Sequence, residues 1–420
     1  MKMVSKLAIA SAVALGIVAM PASAQRNKKE EPAQGQPPVK VSEEFRKHAA
    51  PAEAALKAGD WATAERELTA AEAVAKTDDE KFFTSLMRMP IEIHKQSRPG
   101  IIAAADVLLA SPRTPAANLG LYNFYRGQAT FQSLEAGKRA PAEPFLLKAR
   151  ELGVNEVDVP LMLAQIYDET NRRPQGVIEM GKAIEASRAK GQKPPESWYR
   201  WVTSRLAAAG DRSATADWQM RHLRDYPTVS NWRQVIINYR NGADKQNPDR
   251  VERINLYRLL RGTGALADTN DYFEYASAAQ IGGLPWEAIW VIEDGQKNGK
   301  VSKDDADFNR VYNASKTAAA NEGSLDSLAK AAKTGRDFSD VADAYLASGN
   351  YARALELYDT ALSKGGANTN AVNLHRGVTL VNLGRKDEAK TAFQAVTGAG
   401  ALTDIAKFWL LWMELPPLTA

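Results

Sequence analysis

The chain has 420 residues, of which 45% are hydrophobic and 25% charged, with a mean hydropathy of −0.38. That composition supplies a sizeable core and excludes wholesale disorder. A formal net charge of +4 is too small to suggest a nucleic-acid partner, and the absence of cysteine excludes a disulfide framework or a lipidated cysteine.

The N-terminus has the layout of a secretory signal. Lys2 and Lys6 precede an apolar run from Leu7 to Met20, and Ala22, Ser23 and Ala24 form a small-x-small cleavage site. A run of 14 residues is too short to span a bilayer. The expectation for residues 1–24 is a signal peptide cleaved after Ala24, leaving a periplasmic protein that does not span the membrane. Residues 25–41, with Pro32, Pro37 and Pro38 among charged and Gln residues, lack hydrophobic periodicity and read as a flexible leader.

From Ser42 to the C-terminus one template recurs: a small residue, a second small residue twelve positions on, and a large one four beyond that. In chain order it gives Ala52/Ala64/Leu68 with Gly59 between them, then Ile91/Ala103/Val107, and Thr130/Ala142/Leu146 with Gly137. Next come Ala164/Gly176/Met180, Thr203/Thr215 with Gly210, and Ala276/Ala288/Ile292 with Gly283. The clearest copies are the last two, residues 336–369 and 371–401. Gly384, Ala389 and Phe393 fall 35 residues after Gly349, Ala354 and Tyr358. The physical logic is that two closely packed helices need small side chains at their nearest approach, and a turn residue that tolerates positive φ. Two double-length gaps each predict a further pair. One has the stripe Trp232, Val235, Ile236 and Tyr239, a loop at Asn247 and Pro248, and a helix through Ile254 and Leu260. The other has Phe308, Val311 and Tyr312 followed by Leu325, Leu328 and Ala329. A closing helix is expected at Ala401–Glu414.

This spacing resembles the tetratricopeptide repeat family, whose period is about 34 residues, although α-solenoid repeats of other types fit the 39-residue gaps nearly as well. The resemblance covers residues 42–420. It implies an all-α fold: a right-handed α-solenoid of about ten helix pairs with a C-terminal capping helix, and no sheet.

Chemistry-bearing motifs are sparse. His48, His94, His222 and His375 are scattered over different repeats, with no metal-ligand spacing. Gly262, Gly264 and Ala267 fit a dinucleotide fingerprint, but a helix rather than a strand precedes them. Gly176, Gly181 and Lys182 resemble a phosphate-binding loop that lacks its Ser/Thr and lies within a helix. Ser327/Lys330 and Ser187/Lys190 both read Ser-x-x-Lys, and two unrelated copies show how cheap that pattern is. Asp304, Asp305 and Asp307 lack the remainder of a calcium loop and suit a helix start. No catalytic residue, metal or cofactor is therefore expected.

The function implied is an interaction scaffold holding a protein or peptide in its groove, within an envelope-associated assembly. The rivals are a glycan- or peptide-processing enzyme that uses the solenoid as a substrate platform, and a structural subunit of an export complex. Between Arg188 and Arg261 there are fifteen Lys/Arg against seven Asp/Glu. Arg200, Ser204, Arg233, Ile237 and Arg240 are the candidate contacts there. Their partner would be an anionic peptide, protein or envelope glycan, unless the charges merely cover a solvated convex face. A second candidate is the apolar run containing Phe408, Trp409 and Trp412, which either buries or leaves a patch for a partner.

Overall fold

The computed structural model describes residues 41–241 and 250–416. The signal segment 1–24, the leader as far as residue 40 and the loop with Asn247 and Pro248 lie outside the described residues. Among those described there are 21 α-helices and no strand, so the expected all-α helix-pair solenoid is the observed fold. The described residues divide into two compact units, one ending at Ala116 and the other beginning at Ala117.

The first unit contains two pairs, α1 (Glu43–Ala58) with α2 (Trp61–Val74), and α3 (Asp78–His94) with α4 (Arg98–Ala110). Ala52, Ala64 and Leu68 are fully buried, as their spacing requires, and Gly59 closes α1 at φ 72°. Their core also takes in Phe45, Met87 and Ile91. In α4 the expected register fails by one residue: Ala103 and Val107 face out, while Ala104, Ala105 and Leu108 face the core. The turn before α4 has no glycine: Gln96 takes the positive φ of 55°, and Ser97 fixes where the helix starts by accepting from the Gly100 N–H.

The second unit begins with α5 (Ala116–Ser133), α6 (Glu143–Glu151), α7 (Asp158–Glu169), α8 (Arg173–Ala189), α9 (Glu196–Ala208) and α10 (Arg212–Asp225). It continues with α11 (Val229–Asn241), α12 (Arg250–Gly262), α13 (Thr269–Ile281), α14 (Pro285–Lys297), α15 (Ala306–Glu322) and α16 (Leu325–Ala331). The last helices are α17 (Gly335–Ala347), α18 (Tyr351–Lys364), α19 (Thr369–Asn382), α20 (Lys386–Gln394) and the closing helix α21 (Ala401–Glu414). Small-residue contacts sit where the template put them, with Ala164, Ala276, Ala288, Ala342, Ala354 and Ala389 all fully buried. In α19 the helices approach so closely that a Cβ on Gly377 would lie 2.4 Å from Phe393. Both pairs inferred from the double gaps are present. Trp232, Val235, Ile236 and Tyr239 are buried in α11, and Phe308 and Val311 in α15.

Two departures matter for function. In α10 the small buried contact is Ala216, one residue beyond Thr215, so Thr215 and Gln219 become polar groups in a buried position. The second concerns α21, which does more than cap the last pair, because it packs against α10 and α12 as well as α19 and α20. Phe408 meets the rings of Trp232 and Tyr239 edge-on at 6.4 and 5.6 Å, and the Tyr239 hydroxyl donates to Asp404 at 2.9 Å. One apolar core consequently runs from Ala216 to Leu411.

Candidate functional site

The five central candidates lie on α9 and α11, but the structure does not bring them together. Arg200 and Ser204 line a groove of about 580 Å³ between α9, α10 and α11. Arg233 and Arg240 face away from it, toward α13. Arg233 donates to Asp271 at 2.8 Å and to Asp268 at 2.7 Å. Arg240 donates to the Tyr257 hydroxyl and to Glu274, each at 2.6 Å. These two arginines clamp neighbouring helices, and Ile237 is half-buried outside the groove lining. The expected basic stripe is thus corrected: a local charge excess does not reveal which cations the next repeat's carboxylates neutralise.

On α11 the groove is lined by Asn231, Gln234, Asn238 and Asn241, a carboxamide stripe at helical spacing that faces Arg200, Thr203 and Ser204 on α9. Gln234 donates to the Asn238 oxygen at 2.8 Å, which orders the middle of the stripe. The sequence reading picked out the arginines and passed over this polar stripe, although its i, i+3, i+7, i+10 spacing was visible. Thr215, Gln219 and His222 of α10 complete the lining. Thr215 spends its hydroxyl on the Asp211 carbonyl. Gln219 is only 3% exposed, and its side-chain oxygen has no hydrogen-bond partner among the described residues.

The groove's charges are balanced. Arg200 pairs with Glu196 at 2.9 Å, and Glu196 also accepts from His222 at 2.9 Å. Burial would raise the Glu196 pKa, but these two hydrogen bonds outweigh it and hold the carboxyl below its usual range. Burial pushes His222 below its ordinary value, against the pull of Glu196, so the imidazole is neutral at pH 7. Arg212 is paired with Glu252 and lies over the Tyr239 ring at 4.1 Å. What remains open to a ligand is a set of neutral donors and acceptors.

The C-terminal candidates are also relocated. Phe408 and Trp409 are 0% and 1% exposed, so they form core and not a docking patch, while Trp412 is half-buried. Of the six apolar residues, Phe408, Trp409 and Leu411 are buried and the other three half-buried, because α21 has neighbours on more than one side.

The near-motifs resolve as structural features. Gly262 ends α12 and Gly264 takes φ 70° in the turn after it. Gly176 and Gly181 lie inside α8, and Asp305 caps α15 by accepting from the N–H groups of Asp307 and Phe308. His94 stacks on Trp61, and His375 bonds Asp343 at 2.6 Å. Among the described residues no group of three or more His, Asp or Glu side chains is arranged to hold a metal, and no helix is long and apolar enough to cross a membrane.

The tetratricopeptide repeat family model matches residues 371–399, which take in most of α19, the turn after it, all of α20 and the five residues that follow. No curated protein sequence matches the chain. Among solved structures, it is similar to the crystal structure of the P58(IPK) TPR domain, at 12% identity and a TM-score of 0.24, over 87% of this chain and 98% of that one. It is also similar to the structure of Naa15/Naa10 bound to HypK-THB, at 10% identity and a TM-score of 0.32, over 84% of this chain and 53% of that one. Residues 371–399 are therefore a repeat of the tetratricopeptide type, set within a chain of successive helix pairs.

Proposed function

We propose that the protein is a periplasmic interaction scaffold, exported by its N-terminal signal and cleaved after Ala24. It holds an extended segment of a partner protein in the groove between α9 and α11, within an envelope-associated assembly. The observation that carries this reading is Gln219. A carboxamide oxygen buried without a hydrogen-bond partner, in the lining of a roomy polar groove, is a group reserved for a ligand. The carboxamides of α11 each offer a donor and an acceptor, which suits the alternating N–H and C=O groups of an extended main chain.

The test is affinity capture from the organism's own envelope fraction, comparing the parent protein with Ser204→Trp, which fills the groove from an exposed position. A partner held there should be lost from the variant while helix content and melting stay unchanged. Because the groove's cations are already paired, capture should persist as salt rises. Identical capture by both proteins would place the binding surface elsewhere. Recovery of a glycan instead of a protein would overturn the partner class.

A further inference from the structure

A second cavity, of about 260 Å³, lies where α12, α14, α17, α19 and α21 meet. It exists only because α21 packs back onto α12. Its polar side chains are unequally committed. Glu287 spends both carboxylate oxygens on Arg258, at 2.8 and 2.7 Å, and one also accepts from the Tyr275 hydroxyl at 2.6 Å. Arg258 and Glu287 are 4% and 3% exposed, so the pair is closed to solvent and electrically balanced.

Two donors are left over. Arg261 lies over the Trp290 ring at 3.3 Å and forms no ion pair among the described residues. Trp409, 1% exposed, has a buried indole Nε1–H with no acceptor. The charged side chains of the lining are Arg258, Arg261 and Glu287, which leaves one uncompensated positive charge. Apolar side chains form part of the wall, with Leu346 and Val378 at 6% and 4% exposure. Asn382, at the exposed rim, gives its Nδ2–H to the Val378 carbonyl.

A cavity lined both by an arginine without an ion pair and by a tryptophan whose indole N–H is unsatisfied, with Leu346, Val378 and Val381 among its other walls, suits an anion with a hydrophobic body. The volume is just below the roughly 300 Å³ at which pockets for drug-sized ligands begin. We infer that this cavity binds a carboxylate carried on a short apolar tail, with Arg261 as counter-ion and Leu346 and Val378 against the tail. The same chemistry is offered by a free short-chain carboxylic acid and by the C-terminus of a peptide ending in an aliphatic residue. The cavity shares no lining residue with the groove between α9 and α11, so the two proposals stand or fall separately.

The experiment is calorimetric titration of the purified protein with sodium hexanoate, hexanol and sodium chloride, followed in parallel by tryptophan fluorescence. Hexanoate should bind saturably, with hexanol and chloride at least tenfold weaker. Acetyl-Gly-Leu as free acid, set against its amide, tells a peptide C-terminus from a free acid. Binding of the peptide acid but not the amide assigns the site to chain termini, and binding of hexanoate alone assigns it to small acids. Arg261→Gln should weaken binding at least tenfold and Arg261→Lys should restore part of it. Val381→Phe, at the half-buried rim, should abolish binding with the melting temperature unchanged, which guards against misfolding of the arginine variants. The inference is overturned if neither acid binds to protein of native helix content, if hexanol binds as well as hexanoate, or if Val381→Phe binds like the parent.

Discussion

Glu80 shows how much one side chain can fasten. Its carboxylate closes a capping box with Thr77 at the start of α3 and accepts from both the N–H and the hydroxyl of Ser42, at 2.8 and 2.7 Å, so that the starts of α1 and α3 are tied together. Full burial would raise its pKa, but the bonds from Ser42, Thr77 and Lys76 outweigh that and hold it at about 2, against 4.5 for an ordinary glutamate. A folded value below the unfolded one gives stability that is present above about pH 4.5 and lost as the pH falls toward 2. Glu80→Gln should destabilise the first unit by about 2 kcal/mol at neutral pH, since hydrogen bonds to a charged group are being weakened. Urea unfolding at pH 7 and pH 3 should show a smaller loss between those values in the variant than in the parent. Gln219 makes the opposite case. Gln219→Met conserves volume and removes an unsatisfied buried amide, so it should raise stability by about 1 kcal/mol while weakening capture of the groove's partner. A thermal melt paired with the capture assay reads both effects.

Among the elements, α21 has the largest structural consequence. An end cap of an open array would touch only the preceding pair, whereas this helix also contacts α10 and α12 and places Phe408 between Trp232 and Tyr239. Phe408→Ala should cost about 3–5 kcal/mol, the range for emptying a fully buried aromatic position. Trp412→Ala, from a half-buried position on the same helix, should cost clearly less; chemical denaturation of the two variants side by side checks the order. The apolar run of α21 is therefore explained by its setting. Residues that would be sticky on a terminal helix are satisfied when the helix has partners on several faces.

In the whole molecule, the continuous core from Ala216 to Leu411 alters how damage spreads. In an open array of repeats, stability is a sum of nearest-neighbour terms, and a disrupted pair unravels its own end. Here Ala354→Trp, at a fully buried contact between α17 and α18, should overpack a core shared with helices far away in sequence. Hydrogen exchange should show lost protection from α10 through α21, while α1–α4, built on a separate core around Phe45, Leu68 and Ile91, keep theirs. Loss confined to α17–α20 would mean that the closing contacts of α21 contribute little.

The sequence by itself determined the fold class, the number of helix pairs and the place of the closing helix, because these follow from local spacing. Small residues twelve apart, large ones four beyond, and glycines at positive φ in the turns state how one helix meets the next. Gly349 at φ 81° and the buried Ala342 and Ala354 are that rule in place. The register slipped by one residue in α4 and in α10, although the turn before α10 holds Gly210 and the turn before α4 holds no glycine, so the turn residue alone does not set it. The candidate sites were much less legible. Whether Arg233 and Arg240 face a ligand or the carboxylates of α13 depends on which residues 34 to 38 positions away come alongside, and charge counting along the chain does not contain that information. The same holds for the groove of Gln219 and for the cavity beside Arg261. Both are spaces between helices, and the second exists only because α21 packs against α12. Tertiary structure decided them because a cavity is defined by the groups that fail to meet, and local periodicity describes only the groups that do.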